Sequence, residues 1–367
     1  MVFCLDRAGA GAGADGEGIA AKTSPGWPAW ATRAYIGRVL SVLLVRFSSI
    51  GDVLLTTPLV RALRRRHPGA RLVFVTKRAM APLVADNPHL SDVLTLEPSE
   101  SVRHLAARLE ALGPSHGLDL HGSLRSRALR LLVSCRWAGY RKRKLARALL
   151  IATKLDVYGK HVPVAERYFE AARHLDVQPD GGPPEFALGA PARTRVAQWL
   201  TAQRLGDAAL AALAPGAAHA TKRWPVAHWD QLAARLRVAG MTPVVLGGPD
   251  DRPLAAQLAA HAVSAAGEFS LQETGALLAR ARVLVSNDTG VMHMATGVGT
   301  PVVALFGPTV EAFGFFPYST RATVLQRALD CRPCSAMGSA RCPMGHHRCL
   351  VDIAPEDVAT AVDRFVA

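Results

Sequence analysis

Residues 41–66 read SVLLVRFSSIGDVLLTTPLVRALRRR, and their pattern decides the fold. Residues 41–46 form a short run of branched aliphatic side chains, which is typical of a strand buried on both faces. A turn of small residues follows, and residues 51–66 have the spacing of an amphipathic helix that ends before Pro68. The stretch therefore predicts a strand, a turn and a helix in succession.

The same rhythm continues along the chain. Strands that alternate with helices predict βαβ units and a parallel sheet. A composition break at residues 181–184, which read GGPP, indicates a linker between two such regions. Further strands are predicted at residues 71–76, 92–96, 117–120, 211–214, 243–246, 283–286 and 301–306, and further helices at 123–133 and 226–238.

The fold class that follows is α/β, with two doubly wound, Rossmann-like domains. We expect the first domain at residues 39–185 and the second at 186–367. Such sheets bind ligands beyond the carboxyl ends of their strands, so the expected site is the cleft between the halves. Residues 1–38 are rich in Gly and Ala and predict a disordered tail or an over-extended start.

Composition excludes several classes of protein. The chain has 367 residues, of which 50% are apolar and 20% charged, so it is not globally disordered. Its formal net charge is +14, which predicts attraction to polyanions such as nucleic acid, an anionic membrane surface or a phosphorylated substrate. No stretch approaches the ~20 apolar residues of a membrane-spanning helix, and we expect a cytoplasmic protein.

The first candidate motif, RFSSIGDVLLTTP at residues 46–58, places Asp52 at the start of a helix. The helix dipole favours an acid there and keeps it ionised, as a base for an alcohol substrate would need to be. The alternative is that Asp52 only caps its helix, and this motif alone favours the cap.

The second motif, SNDTGVMHM at residues 286–294, joins a buried strand to a helix. The backbone N–H groups of Thr289, Gly290 and Val291 would point beyond the strand, an arrangement suited to phosphate oxygens. His293 follows one turn into the helix. A lone His on a helix is usually structural, but its place after an anion-binding turn favours a function here.

Two loops follow other strand ends. APGAAHATKRWP at residues 214–225 presents Lys222 and Arg223, and a Lys at this position suits a diphosphate leaving group. An ordinary solvated basic loop explains it equally well. LGGPDD at residues 246–251 is a Gly-rich turn with two acids that suits a nucleotide ribose. This motif alone is weak evidence for a ribose site.

Two clusters lie outside these loops. Cys331, Cys334, Cys342 and Cys349, with two nearby His residues, have the ligand types of a structural zinc site. Their spacing matches a compact knuckle poorly, which favours reduced thiols that close a C-terminal loop. The basic run RKRK at residues 141–144 is typical of a solvated face or of contact with anionic lipid; nucleic acid is the rival partner, without an accompanying recognition motif.

Together these motifs resemble the bacterial heptosyltransferase family, glycosyltransferase family nine, over nearly all of the chain from about Val39. The four most specific parts are RFSSIGDVLLTTP, the KRWP loop, SNDTGVMHMA and the segment from CRPC to GHHRCL. The resemblance implies a GT-B fold, with the acceptor on the first domain and the nucleotide sugar on the second. It implies transfer of heptose from ADP-heptose to the inner core of lipopolysaccharide, with inversion at the anomeric carbon.

The resemblance also assigns roles to residues. Asp52 takes the place of the catalytic base, and no cofactor or divalent metal is implied. The implied donor-binding residues are Lys222, Arg223, Asp250, Asp288, Thr289, Gly290, Val291 and His293. The implied acceptor-binding residues are Ser49, Gly51, His121 and Arg125.

The resemblance implies partners as well: a nucleotide sugar, an anionic lipopolysaccharide core and the surface of the inner membrane, but no nucleic acid. Two departures bear on the donor. Ala217 and Ala218 replace hydroxyl side chains that relatives carry, so phosphate contacts must come from backbone N–H groups or from Thr221. The acid after the Gly-Gly turn is offset, which weakens the case for Asp250.

Three alternatives stay open. A GT-B enzyme acting on another nucleotide sugar for cell-envelope glycans fits the same motifs. A non-hydrolysing epimerase of similar architecture would need additional acids and leaves the Gly51-Asp52 turn unexplained. A non-catalytic polyanion-binding protein would use the net charge alone, and it predicts strongly salt-dependent binding to nucleic acid.

Overall fold

The computed structural model describes residues 39–366. The tail predicted at residues 1–38 lies outside the described residues. The part from Val39 onward forms one compact unit. Between residues 39 and 366, no helix is both long enough and apolar enough to cross a bilayer.

The first half of this unit is built on a sheet of five parallel strands in the order β3-β2-β1-β4-β5. The chain enters at the centre, builds one side and then crosses to the other, which makes the sheet doubly wound. Leu44 of the central strand lies beside Phe74, and Val45 beside Asp119. The strands are β1 (Ser41–Val45), β2 (Arg71–Lys77), β3 (Asp92–Leu96), β4 (His116–Asp119) and β5 (Arg136–Gly139).

Helices cover this sheet. The α-helices are α1 (Ile50–Leu54), α2 (Thr57–Arg66), α3 (Val102–Glu110), α4 (Leu124–Leu132), α5 (Lys144–Thr153) and α6 (Val164–Arg167), and 3₁₀ helices span Arg78–Leu83 and Tyr168–Leu175.

The prediction of one continuous helix over residues 51–66 was wrong. The structure has two helices, α1 and α2, with a break at Leu55 and Thr56. Pro58 has no N–H with which to continue the hydrogen bonding across the break. Instead the hydroxyls of Thr56 and Thr57 donate to the carbonyls of Val53 and Leu54, at 2.6 and 2.7 Å.

The second half is built on six parallel strands in the order β11-β10-β9-β6-β7-β8. The predicted helix at residues 226–238 is confirmed with the same bounds. The strands are β6 (Leu210–Ala214), β7 (Thr242–Val245), β8 (Val263–Ser264), β9 (Val283–Asn287), β10 (Val302–Phe306) and β11 (Ala322–Gln326). The α-helices are α7 (Ala190–Ala202), α8 (Val226–Val238), α9 (Arg252–Ala256), α10 (Leu271–Arg280), α11 (Gly290–Val298), α12 (Arg348–Val351) and α13 (Pro355–Val366), with 3₁₀ helices at Ala220–Lys222, Pro249–Asp251 and Glu311–Phe313.

The predicted α/β fold with two Rossmann-like sheets is confirmed. β1, β6, β9 and β10 are buried along their whole length, as continuous aliphatic runs require. Three strands that the sequence did not reveal, β5, β8 and β11, have no fully buried residue. They lie at or beside sheet edges, where burial no longer demands an apolar run.

The segment between the halves is tied to the first one by a buried arginine. Arg61 of α2 makes a two-point ion pair with Asp180, with nitrogen to oxygen distances of 2.7 and 2.8 Å. Its third nitrogen donates to the carbonyl of Pro183 and lies 2.9 Å from Glu185. The composition break at residues 181–184 is therefore held against α2.

Candidate active site

A cavity of about 770 Å³ lies where residues from both halves meet. The first half contributes the turn after β1 and the start of α1. The second half contributes the loops that follow β6, β7, β9 and β10. The predicted site residues that line it are Ser49, Gly51, Asp52, Lys222, Arg223, Asp250, Asp288, Thr289, Gly290, Val291 and His293.

Two predicted acceptor residues are not among those lining the cavity. His121 follows β4, and its ring makes an edge contact with Phe47 at 5.5 Å between centroids. Burial, followed by the positive charges of Arg46 and Lys142, lowers the pKa of His121 to about 4. Arg125 is exposed on α4.

Asp52 lies at the start of α1 and is held by three neighbours. Its Oδ2 atom lies 2.6 Å from Nη2 of Arg46 and accepts from the Ser49 hydroxyl at 2.9 Å. The Ser49 N–H points to the same oxygen at 3.3 Å, and the Tyr168 hydroxyl donates to Oδ1 at 3.2 Å. Asp52 therefore ties down the start of its helix and also lines the cavity.

These contacts keep the carboxylate ionised. Burial raises the pKa of Asp52, but the Arg46 guanidinium and the Ser49 hydrogen bonds outweigh it and leave the pKa below its ordinary value. An ionised carboxylate that lines a cavity and keeps a free lone pair can accept a proton from a hydroxyl group placed beside it.

Lys222 lines the part of the cavity that the second half contributes, and an ion pair holds it there. Its Nζ atom lies 2.6 Å from Oδ2 of Asp288, and the hydroxyl of Thr309 donates to the same oxygen at 2.7 Å. The Lys222 side chain is 15% exposed and that of Asp288 9%, so the pair is nearly removed from water. The ammonium therefore stays in place at the cavity wall before a ligand arrives.

Asn287 is a residue whose role sequence reasoning missed. It ends β9 fully buried; its side-chain N–H donates to the Pro215 carbonyl at 2.8 Å, and its side-chain oxygen accepts from the Trp224 N–H at 3.2 Å. These bonds connect the end of β9 to both ends of the Lys222 loop. The sequence could have indicated this role, because Asn287 lies inside the SNDTG motif at residues 286–290.

The turn that the sequence predicts to bind an anion joins β9 to α11. Thr289 has extended backbone angles and Gly290 begins α11, so the first N–H groups of this nine-residue helix have no partner within the helix. Such N–H groups, with the positive end of the helix dipole, favour a negatively charged ligand.

His293 lies one turn into α11 and is buried. Burial lowers its pKa to about 4, with Asp288, Asp52 and Lys222 as smaller influences of mixed sign, so the ring is neutral at pH 7. The ring packs against Gly51 of the first half, although His293 itself belongs to the second half. Its Nδ1 atom has no hydrogen-bond partner among the described residues.

The acid turn after β7 is organised by Asp251 rather than Asp250. Asp251 accepts from the Gly248 N–H at 2.9 Å, and a Cβ atom on Gly216 would lie 2.3 Å from its Oδ1. Gly216 and Gly247 are needed because this carboxylate packs directly against both backbones. Asp250 is exposed and lines the cavity.

The cysteine-containing segment packs against the loop that carries Lys222. The Thr221 hydroxyl donates to the carbonyl of Ser339 at 3.0 Å and accepts from its N–H at 2.8 Å. Thr221 is thus engaged with this segment and is not among the cavity residues. His347 contacts the Thr221 carbonyl at 3.0 Å, and Met337 lines the cavity.

Two Rossmann-like sheets, with Asp52 and the start of α11 at one cavity, fit a glycosyltransferase of the GT-B fold. Residues 102–344 match the model of glycosyltransferase family 9 (heptosyltransferase). The chain belongs to that family, and the predicted resemblance is confirmed.

Three relatives illustrate the match. Lipooligosaccharide heptosyltransferase 2 of Haemophilus influenzae is 25% identical over 89% of this chain and 100% of its own length. Lipopolysaccharide heptosyltransferase 1 of Pseudomonas aeruginosa is 29% identical over 86% and 92%. The structure of an ADP-heptose lipopolysaccharide heptosyltransferase II of E. coli superposes with a TM-score of 0.69 at 24% identity, over 89% of this chain and 98% of that one. Family membership makes the protein an enzyme, so the charge alone does not account for its function.

The structural zinc site considered from the sequence is not supported. Among residues 39–366, no group of three or more His, Cys, Asp or Glu side chains is arranged to hold a metal ion. Cys331, Cys334, Cys342 and Cys349 are free thiols, and burial raises the pKa of Cys349 to about 11. An iron-containing glycosyltransferase of E. coli shares the fold with a TM-score of 0.57 at 15% identity.

Proposed function

We propose that the protein transfers heptose from ADP-heptose to the inner core of lipopolysaccharide and inverts the anomeric carbon in one displacement. One observation carries the proposal: an ionised Asp52 from the first half and the Lys222 and Asp288 pair from the second line the same cavity. A base for the acceptor and a cation for the leaving diphosphate are the two groups that this reaction needs.

The O–H bond of the acceptor breaks and its proton passes to Asp52, while the acceptor oxygen bonds to the anomeric carbon. The bond between that carbon and the diphosphate oxygen breaks, and its electron pair leaves with ADP. Lys222 and the N–H groups at the start of α11 stabilise the charge that develops on the diphosphate. No residue in this sequence of events requires a divalent ion.

We propose that the nucleotide sugar binds in the part of the cavity lined by the second half. Its wall combines the anion-binding turn with apolar side chains, Leu246, Phe269 and Leu271, that suit the faces of a purine. Asp250, at the same wall, suits a ribose hydroxyl. The relatives named above are heptosyltransferases, and the E. coli structure is named for ADP-heptose.

We propose that the acceptor binds to the first half. We propose that Ser49 and Gly51, which line the cavity, and His121 and Arg125, which do not, contact the phosphorylated core. The relatives include both a heptosyltransferase 1 and a heptosyltransferase 2. We therefore propose the inner core as the acceptor without choosing one heptose position.

The reaction takes place, on this proposal, in the cytoplasm at the surface of the inner membrane. Residues 124–160 contain eleven Lys and Arg against a single Asp, out of a formal net charge of +14 for the chain. In the same stretch Leu124, Leu131 and Leu145 are 84%, 88% and 87% exposed. Exposed leucines among basic residues are the surface that an anionic lipid bilayer binds. The stretch surrounds β5, at one edge of the first sheet.

A donor screen tests the proposal. Purified protein is incubated with ADP-heptose, UDP-glucose or ADP-glucose and a heptose-deficient core acceptor, and release of nucleoside diphosphate is followed. We expect turnover with ADP-heptose and thermal stabilisation by ADP but not by UDP. Asp52→Asn should lose transfer while it still binds ADP. Turnover with UDP-glucose in place of ADP-heptose would favour the alternative of a GT-B enzyme for another envelope glycan.

A further inference from the structure

The two oxygens of the Asp52 carboxylate have unequal surroundings. Oδ2 receives three donors: Arg46 Nη2 at 2.6 Å, the Ser49 hydroxyl at 2.9 Å and the Ser49 N–H at 3.3 Å. Oδ1 receives only the Tyr168 hydroxyl, at 3.2 Å. A carboxylate oxygen offers about two lone-pair sites, so Oδ2 is saturated and Oδ1 keeps one site free.

We propose that Arg46 and Tyr168 are positioning residues for the transfer reaction, which orient the Asp52 carboxylate so that Oδ1 takes the acceptor proton. The inference rests on the proposed function, because it concerns the base of that reaction. Neither residue needs to contact a substrate to act in this way.

Each of the two residues is itself fixed. Arg46 follows directly after the buried strand β1, is 6% exposed, and donates through Nη1 to the Leu120 carbonyl at 2.7 Å. Its guanidinium lies 5.8 Å from the centre of the Tyr168 ring. The Tyr168 ring is fully buried and meets the Tyr140 ring edge to face at 4.8 Å. The carboxylate is therefore oriented by groups that have little freedom to move.

Arg46 also provides the charge that opposes burial. The other titratable or charged groups that face Asp52 are Tyr140, Lys142, His121, Tyr168 and, from α11, His293. Burial alone raises the pKa of Asp52, and the charge of Arg46 is the largest influence against it. Loss of that charge leaves burial opposed mainly by the Ser49 hydrogen bonds, so the base would take up a proton at a higher pH.

The test is the pH dependence of kcat/KM for variants of Arg46. In the unmodified protein we expect no acidic limb from Asp52 between pH 5 and 8, since its pKa lies below the ordinary value. Arg46→Met should introduce an acidic limb displaced upward by about 1 to 3 pH units. Arg46→Lys, which keeps the charge, should show a smaller displacement. Tyr168→Phe should lower kcat by about tenfold with little change in the KM for the donor.

Arg61→Met is the matched control. Arg61 is an equally buried arginine with carboxylate partners, away from the cavity. Its loss should lower the melting temperature without an acidic limb. If Arg46→Met changes kcat/KM by the same factor at every pH, as a structural defect would, the positioning role is overturned. Asp52→Asn separates the two proposals, because an active Asp52→Asn enzyme overturns the proposed base itself.

Discussion

The imidazole ring of His293 fills the space directly in front of Gly51. A Cβ atom on Gly51 would lie 2.4 Å from Cδ2 of His293. The same closeness recurs at Gly290, where a Cβ atom would lie 2.8 Å from Cβ of Ile50. Glycine at these two positions allows α1, which carries the proposed base, to approach α11, which begins at the anion-binding turn.

Gly51→Ala should therefore separate the two helices. We expect a loss of about 1 to 3 kcal/mol in the free energy of unfolding, because the new methyl group overpacks the contact. kcat should fall as well, since Asp52 is the next residue. Denaturant unfolding and steady-state kinetics measure the two effects. Gly69→Ala is the control, as nothing lies within 4 Å of its Cβ position; equal effects of both substitutions would contradict the packing argument.

Lys222→Met should reduce kcat/KM by about 10²- to 10³-fold, because a positioned charge on the diphosphate is lost. The variant should also bind ADP more weakly, unlike Asp52→Asn. Isothermal titration with ADP and initial rates with the sugar donor provide the measurements. Retention of full ADP affinity would show that Lys222 serves only its ion pair with Asp288.

Replacement of exposed leucines should weaken binding to lipid. Leu124→Ser combined with Leu145→Ser should reduce sedimentation with vesicles that contain phosphatidylglycerol, whereas rates with a soluble core acceptor should stay unchanged. Arg141→Gln with Lys144→Gln should have a similar effect, at about 1 kcal/mol for each charge. Val238→Ser is the control, because Val238 is 91% exposed on α8 in the other half. Undiminished binding by the leucine variant would exclude this surface.

The ion pair of Arg61 with Asp180 should make stability depend on pH. The hydrogen bond from Arg61 lowers the pKa of Asp180 to about 2. Because the folded pKa is lowered, the stabilisation is present above the unfolded value of about 4 and disappears as the pH falls towards 2. Asp180→Asn should cost about 1 to 2 kcal/mol at pH 7 after allowance for solvent screening, and less at pH 3. A difference from the unmodified protein that stays constant between pH 7 and 3 would contradict this.

Removal of metal ions should leave the enzyme unaffected. In the proposed mechanism Lys222 and the N–H groups at the start of α11 stabilise the leaving diphosphate, so we expect EDTA treatment to change neither kcat nor the melting temperature. Cys331→Ser with Cys334→Ser should behave in the same way. Activity that falls with chelation and returns with one particular metal ion would show that the cysteine segment binds that ion.

The sequence predicted the central strands and the main site motifs because both are local patterns. A strand buried on both faces needs an aliphatic run, and an anion-binding turn needs small residues before a helix. β5, at residues 136–139, reads RWAG and lacks such a run because it lies at a sheet edge. The break between α1 and α2 was missed although Pro58 was visible, because the apolar spacing continues across it.

Contacts between distant parts of the chain were not predictable in this way. Tyr168 reaches Asp52 from 116 positions away, and Arg61 reaches Asp180 over 119. Arg46 was within the quoted motif, and a charged residue at the end of a buried strand was the available signal. No local pattern indicated that Thr221 would be occupied by Ser339, because that contact depends on how the cysteine segment folds back.

The uneven distribution of charge has a consequence for how the enzyme meets its target. Because residues 124–160 concentrate basic charge at one edge of the first sheet, the molecule behaves as an electric dipole. An anionic leaflet exerts a torque on such a dipole within about one Debye length, roughly 8 Å at physiological ionic strength. If the protein binds the inner membrane as we propose, it then arrives with that edge leading, and its search for the acceptor proceeds in two dimensions instead of three.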